Sequence, residues 1–185
     1  MRTEIETKLK VDSLADVECG LARHGASFAG EVIQADRYFD TADRKLTRED
    51  KCLRLRSERS DRGERLILAY KGPKQSSDVK RRGEVEVEID DAEATESLLG
   101  EIGYHKALAF NKRRRVWVLH GCEVVLDELP LLGSFVEIEG PDAKTILDVQ
   151  AMLELADFSH IMDSYACLID RELARRGQDR REAYL

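Results

Sequence analysis

Long apolar runs are missing from this 185-residue chain. No stretch of about 18 apolar residues occurs, so no transmembrane helix is expected. The first residues read straight into a strand pattern without the apolar region of a signal peptide, and the expected location is cytoplasmic. Cysteine is sparse and scattered, at Cys19, Cys52, Cys122 and Cys167. Without a Cys-x-x-Cys pair, zinc and thioredoxin-like readings fail, and the four are read as reduced packing residues. His24, His105, His120 and His160 lack metal-ligand spacing. No Gly-x-x-x-x-Gly-Lys loop occurs, which excludes a P-loop enzyme. Positive charge is not in excess either: 30 basic residues face 37 acidic ones, for a net charge of -7. That balance argues against a general nucleic-acid or membrane-surface binder.

What is abundant is charge of both signs, 36% of residues against 42% hydrophobic. The length suits one domain, 1–185, with enough chain for a core. The pattern predicts a strand over 3–11, then a helix capped by Asp12 that runs to Arg23 and stops at Gly25. An extended stretch follows at 32–39, then a turn at 40–45. Alternating runs at 52–58 and 65–71 suit a hairpin. The polar, basic segment 72–83, bracketed by glycines, reads as a mobile loop. Strict alternation returns at 84–89. A helix over 91–102 is capped by Asp90 or Asp91, and three strands follow at 109–119, 122–128 and 134–139. Two helices close the chain, at 142–156 with Asp142 as cap and at 163–176 with Asp163 as cap, Gly177 being a stop signal. A strand-rich middle of this kind predicts an α+β fold with a closed or nearly closed antiparallel β-barrel and helices outside it.

Residues two apart in a strand share a face. Glu4, Glu6, Lys8 and Lys10 therefore share one, as do Arg54, Arg56 and Glu58, then Arg65 and Lys71, then Arg82, Glu84, Glu86 and Glu88. Lys112 alternates with Arg114, and Glu137 with Glu139. A single charged strand face is ordinarily a solvated one. Six together fit better as the lining of a water-filled barrel. Arg and Lys from several walls suit an oligophosphate. Carboxylates in the same space would repel it unless they carry Mg²⁺ or Mn²⁺, which prefer carboxylate and water oxygens and bridge to phosphates. Glu88 fits an exposed edge charge, and Trp117 fits packing against a helix rather than base stacking. The run Asn111–Arg115 splits its charges between two faces, which weakens a nucleic-acid reading.

The motifs "EIETK" (4–8), "DRYFDT" (36–41), "LRLR" (53–56), "YKGP" (70–73), "RGEVEVE" (82–88), "KRR" (112–114), "LDELPLLGSFVEIEG" (126–140) and "DSYACLI" (163–169) occur in the order seen in the CYTH superfamily, the triphosphate tunnel metalloenzymes. The chain resembles that superfamily over nearly its whole length, and class IV adenylyl cyclases most. The resemblance implies that Glu4, Glu6, Glu137 and Glu139 bind Mg²⁺ or Mn²⁺. It implies that Lys8, Arg54, Arg56, Lys71, Lys112 and Arg114 bind triphosphate, with Lys80 and Arg82 closing over it. Asp127 would lie near the metal, and Glu84 and Glu86 would assist with metal or water. The implied activity is conversion of ATP to cyclic AMP and pyrophosphate. The alternatives are hydrolysis of inorganic, thiamine or nucleoside triphosphate and a non-catalytic polyphosphate- or nucleotide-binding module. Neither nucleic acid nor membrane is an expected partner, and a homodimer is compatible with the reading.

Overall fold

A computed structural model describes residues 2–75, 80–178 and 181–185. Its elements in chain order are β1 (Arg2–Val11), α1 (Leu14–Arg23), β2 (Ser27–Asp40), α2 (Lys45–Arg48), β3 (Cys52–Ser60), β4 (Gly63–Gln75), β5 (Lys80–Ile89), α3 (Ala92–Glu101), β6 (His105–Leu119), β7 (Cys122–Leu129), β8 (Gly133–Glu139), α4 (Ala143–Met152), α5 (Tyr165–Arg175) and β9 (Glu182–Ala183). The strands follow the order β2-β3-β4-β5-β1-β8-β7-β6, and β2 pairs again with β6, which closes an eight-stranded barrel. All eight pairings are antiparallel, and β9 adds a short parallel pairing to β6. Closure leaves the barrel without a free edge between β2 and β6.

Alternation decides which side chains go where. Leu9, Val11, Val124, Leu126, Val136 and Ile138 point outward, and they meet Leu14, Val17 and Leu21 of α1 and Ile146 and Val149 of α4 in one buried cluster. Trp117 packs on that cluster and on Phe28, 5.0 Å between ring centroids, as its expected packing role requires. Gly140 lets β8 run directly under α4: a Cβ there would sit 2.7 Å from Cys122 Sγ and 2.9 Å from Ile146. A third helix, α3, places Leu99 against Phe39 and Leu55.

One end of the barrel is filled by α5. Tyr165, Ile169 and Leu173 pack on Leu108, Phe110, Leu129 and Phe135. The segment leading into α5 is strapped to β1, because Ile161 N–H donates to the Lys8 carbonyl at 2.8 Å and Lys8 Nζ donates to the Asp163 carbonyl at 3.1 Å.

Several expectations need correction. The cap of α1 is Ser13, which accepts from Asp16 N–H at 3.3 Å, not Asp12. The cap of α5 is Ser164, which accepts from Cys167 N–H at 3.2 Å, not Asp163. Capping at Asp91 and Asp142 agrees with expectation. The extended stretch near 32–39 is a 14-residue strand, and the turn after it holds the single turn α2. The segment 72–83 is largely strand rather than loop. Lys74 pairs with Arg82 and Gln75 with Arg81, while Lys80 and Arg81 also pair with β1. Strand pairing on both sides overrides the loop-like composition. Residues 76–79, the tip of that predicted loop, lie outside the described residues.

Candidate active site

Charged side chains from β1, β3, β4, β5, β6 and β8 converge on one cavity of about 190 Å³. Fourteen of the residues singled out in the sequence line it: Glu4, Glu6 and Lys8 from β1, Arg54 and Arg56 from β3, Lys71 from β4, Lys80, Arg82, Glu84 and Glu86 from β5, Lys112 and Arg114 from β6, and Glu137 and Glu139 from β8. Lys10 continues the β1 face but is exposed and does not reach the cavity. Glu88 instead pairs with Arg65 at 3.3 Å, both side chains 59% exposed, as expected for an edge charge.

Asp127 does not line the cavity; it lies fully buried behind the wall. Its oxygens accept from Lys112 Nζ at 3.1 Å, Arg114 Nε at 2.8 Å and Arg114 Nη2 at 2.6 Å. It therefore orients two cavity bases. Sequence reasoning missed its counterpart on β2, two strands away around the barrel. Asp36, also buried, accepts from Arg56 Nε at 2.7 Å and from Arg56 Nη2 at 2.8 Å, a bidentate pair that fixes the guanidinium plane. Asp36 and Arg56 are direct cross-strand partners, a pairing that arises only once β2 and β3 lie in this register. Glu123, Tyr38, Ser164 and Tyr165 were missed as well. Glu123 lies four residues before Asp127 on the same face of β7 and pairs in register with Glu139.

The cavity walls carry eight bases and seven acids, so nearly every charge already has an opposite neighbour. Lys71 Nζ contacts Glu4 at 2.7 Å and Glu84 at 3.0 Å. Lys80 pairs with Glu6, Lys8 contacts Glu137 at 3.2 Å, and Arg114 contacts Glu137 at 2.6 Å. Arg54 Nη2 lies 3.2 Å from Glu86, yet its buried Nε has no hydrogen-bond partner among the described residues. An unpartnered guanidinium N–H on a cavity wall is a donor suited to an incoming anion. Arg82 is committed differently: Nε donates to the Gly72 carbonyl and Nη2 to the Asp50 carbonyl, both at 2.8 Å. Lys80 and Arg82 both lie in the cavity wall.

Titration reflects this packing. Burial pushes the Asp36 carboxyl up, but Arg56 outweighs it and holds Asp36 well below the usual range. Asp127 and Glu137 are likewise opposed by burial and held low, the first by Arg114 and Lys112, the second by Lys8 and Arg114. Lys80 is raised despite burial because Glu6 and Glu137 face it. Lys112 goes the other way. Full burial, then repulsion from Arg114, lowers its ammonium to about 7, despite Asp127 beside it. The Tyr165 ring lies under two cations, 4.1 Å from Lys8 Nζ and 4.7 Å from Lys112 Nζ.

A polyanion near Lys112 favours its charged form and raises its pKa again. Binding of tripolyphosphate at about pH 8 should therefore draw in a proton, and the uptake should fade toward about pH 6, where Lys112 is already charged. Calorimetry in buffers of different ionisation enthalpy reads this directly. Lys112→Met should abolish the uptake, and equal uptake in the variant would remove Lys112 as its source.

The four carboxylates of Glu4, Glu6, Glu137 and Glu139 supply the hard oxygen donors that Mg²⁺ or Mn²⁺ takes. Their chemistry fits such an ion. Among the described residues, no three acidic, histidine or cysteine side chains converge as a ready-made cation cage. Lysine ammoniums hold Glu4, Glu6 and Glu137 instead.

Comparison with known proteins agrees with this architecture. The CYTH domain model matches residues 2–165. The "Putative adenylate cyclase" of Methanocaldococcus jannaschii is 32% identical over 146 residues, 79% of this chain and 79% of that protein. "Adenylate cyclase CyaB" of Aeromonas hydrophila is 33% identical over 138 residues, 74% of this chain and 68% of that protein. Among solved structures, the PH1819 protein of Pyrococcus horikoshii OT3 superimposes with a TM-score of 0.78 at 27% identity, covering 91% of this chain and 99% of that one. The Hippeastrum protein HpAC1, described as having a dominant triphosphatase activity, shares the fold with a TM-score of 0.70 at 19% identity, covering 95% and 96% of the two chains. A barrel closed around ionic side chains, matched from its first strand into its last long helix, places this chain in the CYTH family.

Proposed function

We propose that the barrel cavity is the catalytic site of an adenylyl cyclase that converts ATP to cyclic AMP and pyrophosphate. The observation that supports this most is the convergence of eight bases from five strands on one enclosed space. That many cations suit three linked phosphates, and the match to the Aeromonas cyclase at 33% identity favours the cyclase over other triphosphate chemistry.

In the proposed reaction the ribose 3′-hydroxyl oxygen attacks the α-phosphorus in line, its proton passes to one of the lining carboxylates, and the bond to the α–β bridging oxygen breaks. Charge grows on the departing pyrophosphate. Arg54, Arg56, Lys112 and Arg114 meet that charge, and the buried carboxylates of Asp36 and Asp127 hold three of those four in position beforehand. Lys8, Lys71, Lys80 and Arg82 complete the cationic lining. A divalent cation held by Glu4, Glu6, Glu137 and Glu139 would neutralise phosphate charge and, by taking over those carboxylates, free Lys71, Lys80 and Lys8 for the phosphates. Glu84 and Glu86 are the carboxylates nearest Arg54 and are proposed to assist with the metal or with water.

Hydrolysis of the terminal phosphate is the second reading, because this fold carries a dominant triphosphatase activity in the Hippeastrum protein. Incubation with ATP and, separately, with tripolyphosphate, each with Mg²⁺ or Mn²⁺, separates the two by their phosphorus products. Cyclic AMP and pyrophosphate are expected. Orthophosphate from tripolyphosphate without any cyclic product would reject the cyclase. Lys71→Ala should raise KM about tenfold with a smaller change in kcat, since it loses ground-state attraction for the phosphates. An unchanged KM with normal turnover would take Lys71 out of the site.

A further inference from the structure

A second cavity, about 270 Å³, adjoins the first and shares Tyr38, Cys52, Arg82 and Ser164 with it. It is bounded by the ends of β2, β3 and β6, by α2 and by the first turns of α5. Its character differs sharply from that of the tunnel. Phe39, Leu46, Leu53, Leu108 and Ala166 give it apolar walls. Its four acidic and four basic side chains cancel in charge, and its carboxylates already have partners. Asp50 accepts from Lys74 N–H at 2.7 Å, Asp170 from Arg181 at 2.7 Å, and Asp163 from Arg171 at 2.5 Å. Its wall at α2 is preformed. Asp40 accepts from Leu46 N–H at 2.8 Å, from Thr47 N–H at 2.9 Å and from Thr47 Oγ1 at 2.6 Å, which pins that single turn beside the strand end.

We propose that this chamber receives the nucleoside of a nucleoside triphosphate whose phosphate chain lies in the tunnel, with Tyr38, Cys52, Arg82 and Ser164 as the threshold between the two. Apolar walls with a few satisfied polar groups suit a flat, uncharged organic group. Inorganic tripolyphosphate has nothing to place there. A permanently cationic organic group would gain from a net acidic wall, which the chamber lacks. The α-phosphate then sits at the threshold, and this places the ribose next to the phosphorus its 3′-oxygen must reach. The inference rests on the triphosphate reading of the tunnel.

Three cysteines report on it in the unaltered protein. Cys167 lines the chamber alone, Cys52 lines both spaces, and the exposed Cys19 lines neither. Iodoacetamide labelling, read site by site by mass spectrometry, is carried out with α,β-methylene ATP or with tripolyphosphate at about ten times the calorimetric Kd. A covered thiol then reacts about tenfold more slowly. The nucleotide analogue should slow Cys52 and Cys167, tripolyphosphate should slow Cys52 alone, and Cys19 should be unchanged by either. Protection of Cys52 with Cys167 unaffected by the nucleotide, or affected equally by both ligands, overturns the chamber assignment and leaves the tunnel reading standing. Absence of calorimetric binding by both ligands overturns the two together. Independently, Ala166→Trp fills the chamber from α5 and should weaken the nucleotide analogue by at least about tenfold while leaving tripolyphosphate affinity within about twofold. Equal effects on both ligands would contradict the proposal.

Discussion

Replacing Glu6 by Gln is expected to lower metal-dependent triphosphate turnover by at least about 100-fold while shifting the thermal midpoint by only a few degrees. Glu6 is buried on the cavity wall with Lys80 as its partner. Glutamine keeps the shape and an oxygen acceptor for that ammonium but removes the negative charge. The missing charge should cost the site a cation ligand and, at the same time, leave Lys80 freer to attract phosphate. Tripolyphosphate binding without metal should therefore hold or tighten as turnover collapses. Steady-state kinetics, calorimetry and a melting curve on one preparation separate these effects. A loss of folding that parallels the loss of turnover would make Glu6 a structural residue.

The largest expected stability effect is at Asp127. Its carboxylate is wholly buried and accepts from both Lys112 and Arg114, so Asp127→Ala takes that counter-charge from two buried bases and leaves Arg114 with Glu137. Breaking a buried ion pair by removing one partner costs about 3–5 kcal/mol, which in a chain of this size lowers the thermal midpoint by on the order of 10 °C. Tripolyphosphate presents anionic oxygens to the same two bases, so saturating ligand should recover part of the loss by mass action. Scanning calorimetry with and without ligand measures both. A midpoint within about two degrees of the parent would show that the two bases do not depend on Asp127.

Much of the tunnel was legible because a closed barrel has one inside. A strand whose charged residues alternate must send them all to the same side, and no strand in this barrel can slip by one residue without burying that set in the outer core. Thus alternation put Glu4, Glu6 and Lys8 on one face and Glu137 and Glu139 on another, the barrel reading and the family resemblance joined the two sets, and the register sets Glu6 opposite Glu139 and Lys8 opposite Glu137. Alternation does not say how far along the barrel a residue sits. Lys10 shares a face with Glu6 but lies beyond the cavity, and Asp127 shares a face with Glu123 but lies behind its wall. Asp36 carried no separate signal, since a lone acid in "DRYFDT" becomes a clamp only once β2 pairs with β3. The segment 72–83 misled because glycine and polar residues read as loop, whereas its two ends hydrogen-bond to each other and, at Lys80 and Arg81, to β1. The second chamber had no signal in the sequence at all. Its walls come from strand ends, one helical turn and the start of α5, which no period relates.

The most direct test of the account is a crystal structure of the protein with tripolyphosphate and Mn²⁺. The account predicts the phosphate chain inside the barrel, in hydrogen-bond contact with Arg54, Arg56 and Lys112, and anomalous density for manganese among Glu4, Glu6, Glu137 and Glu139. Phosphate density confined to the outer surface, with the barrel holding water alone, would contradict it.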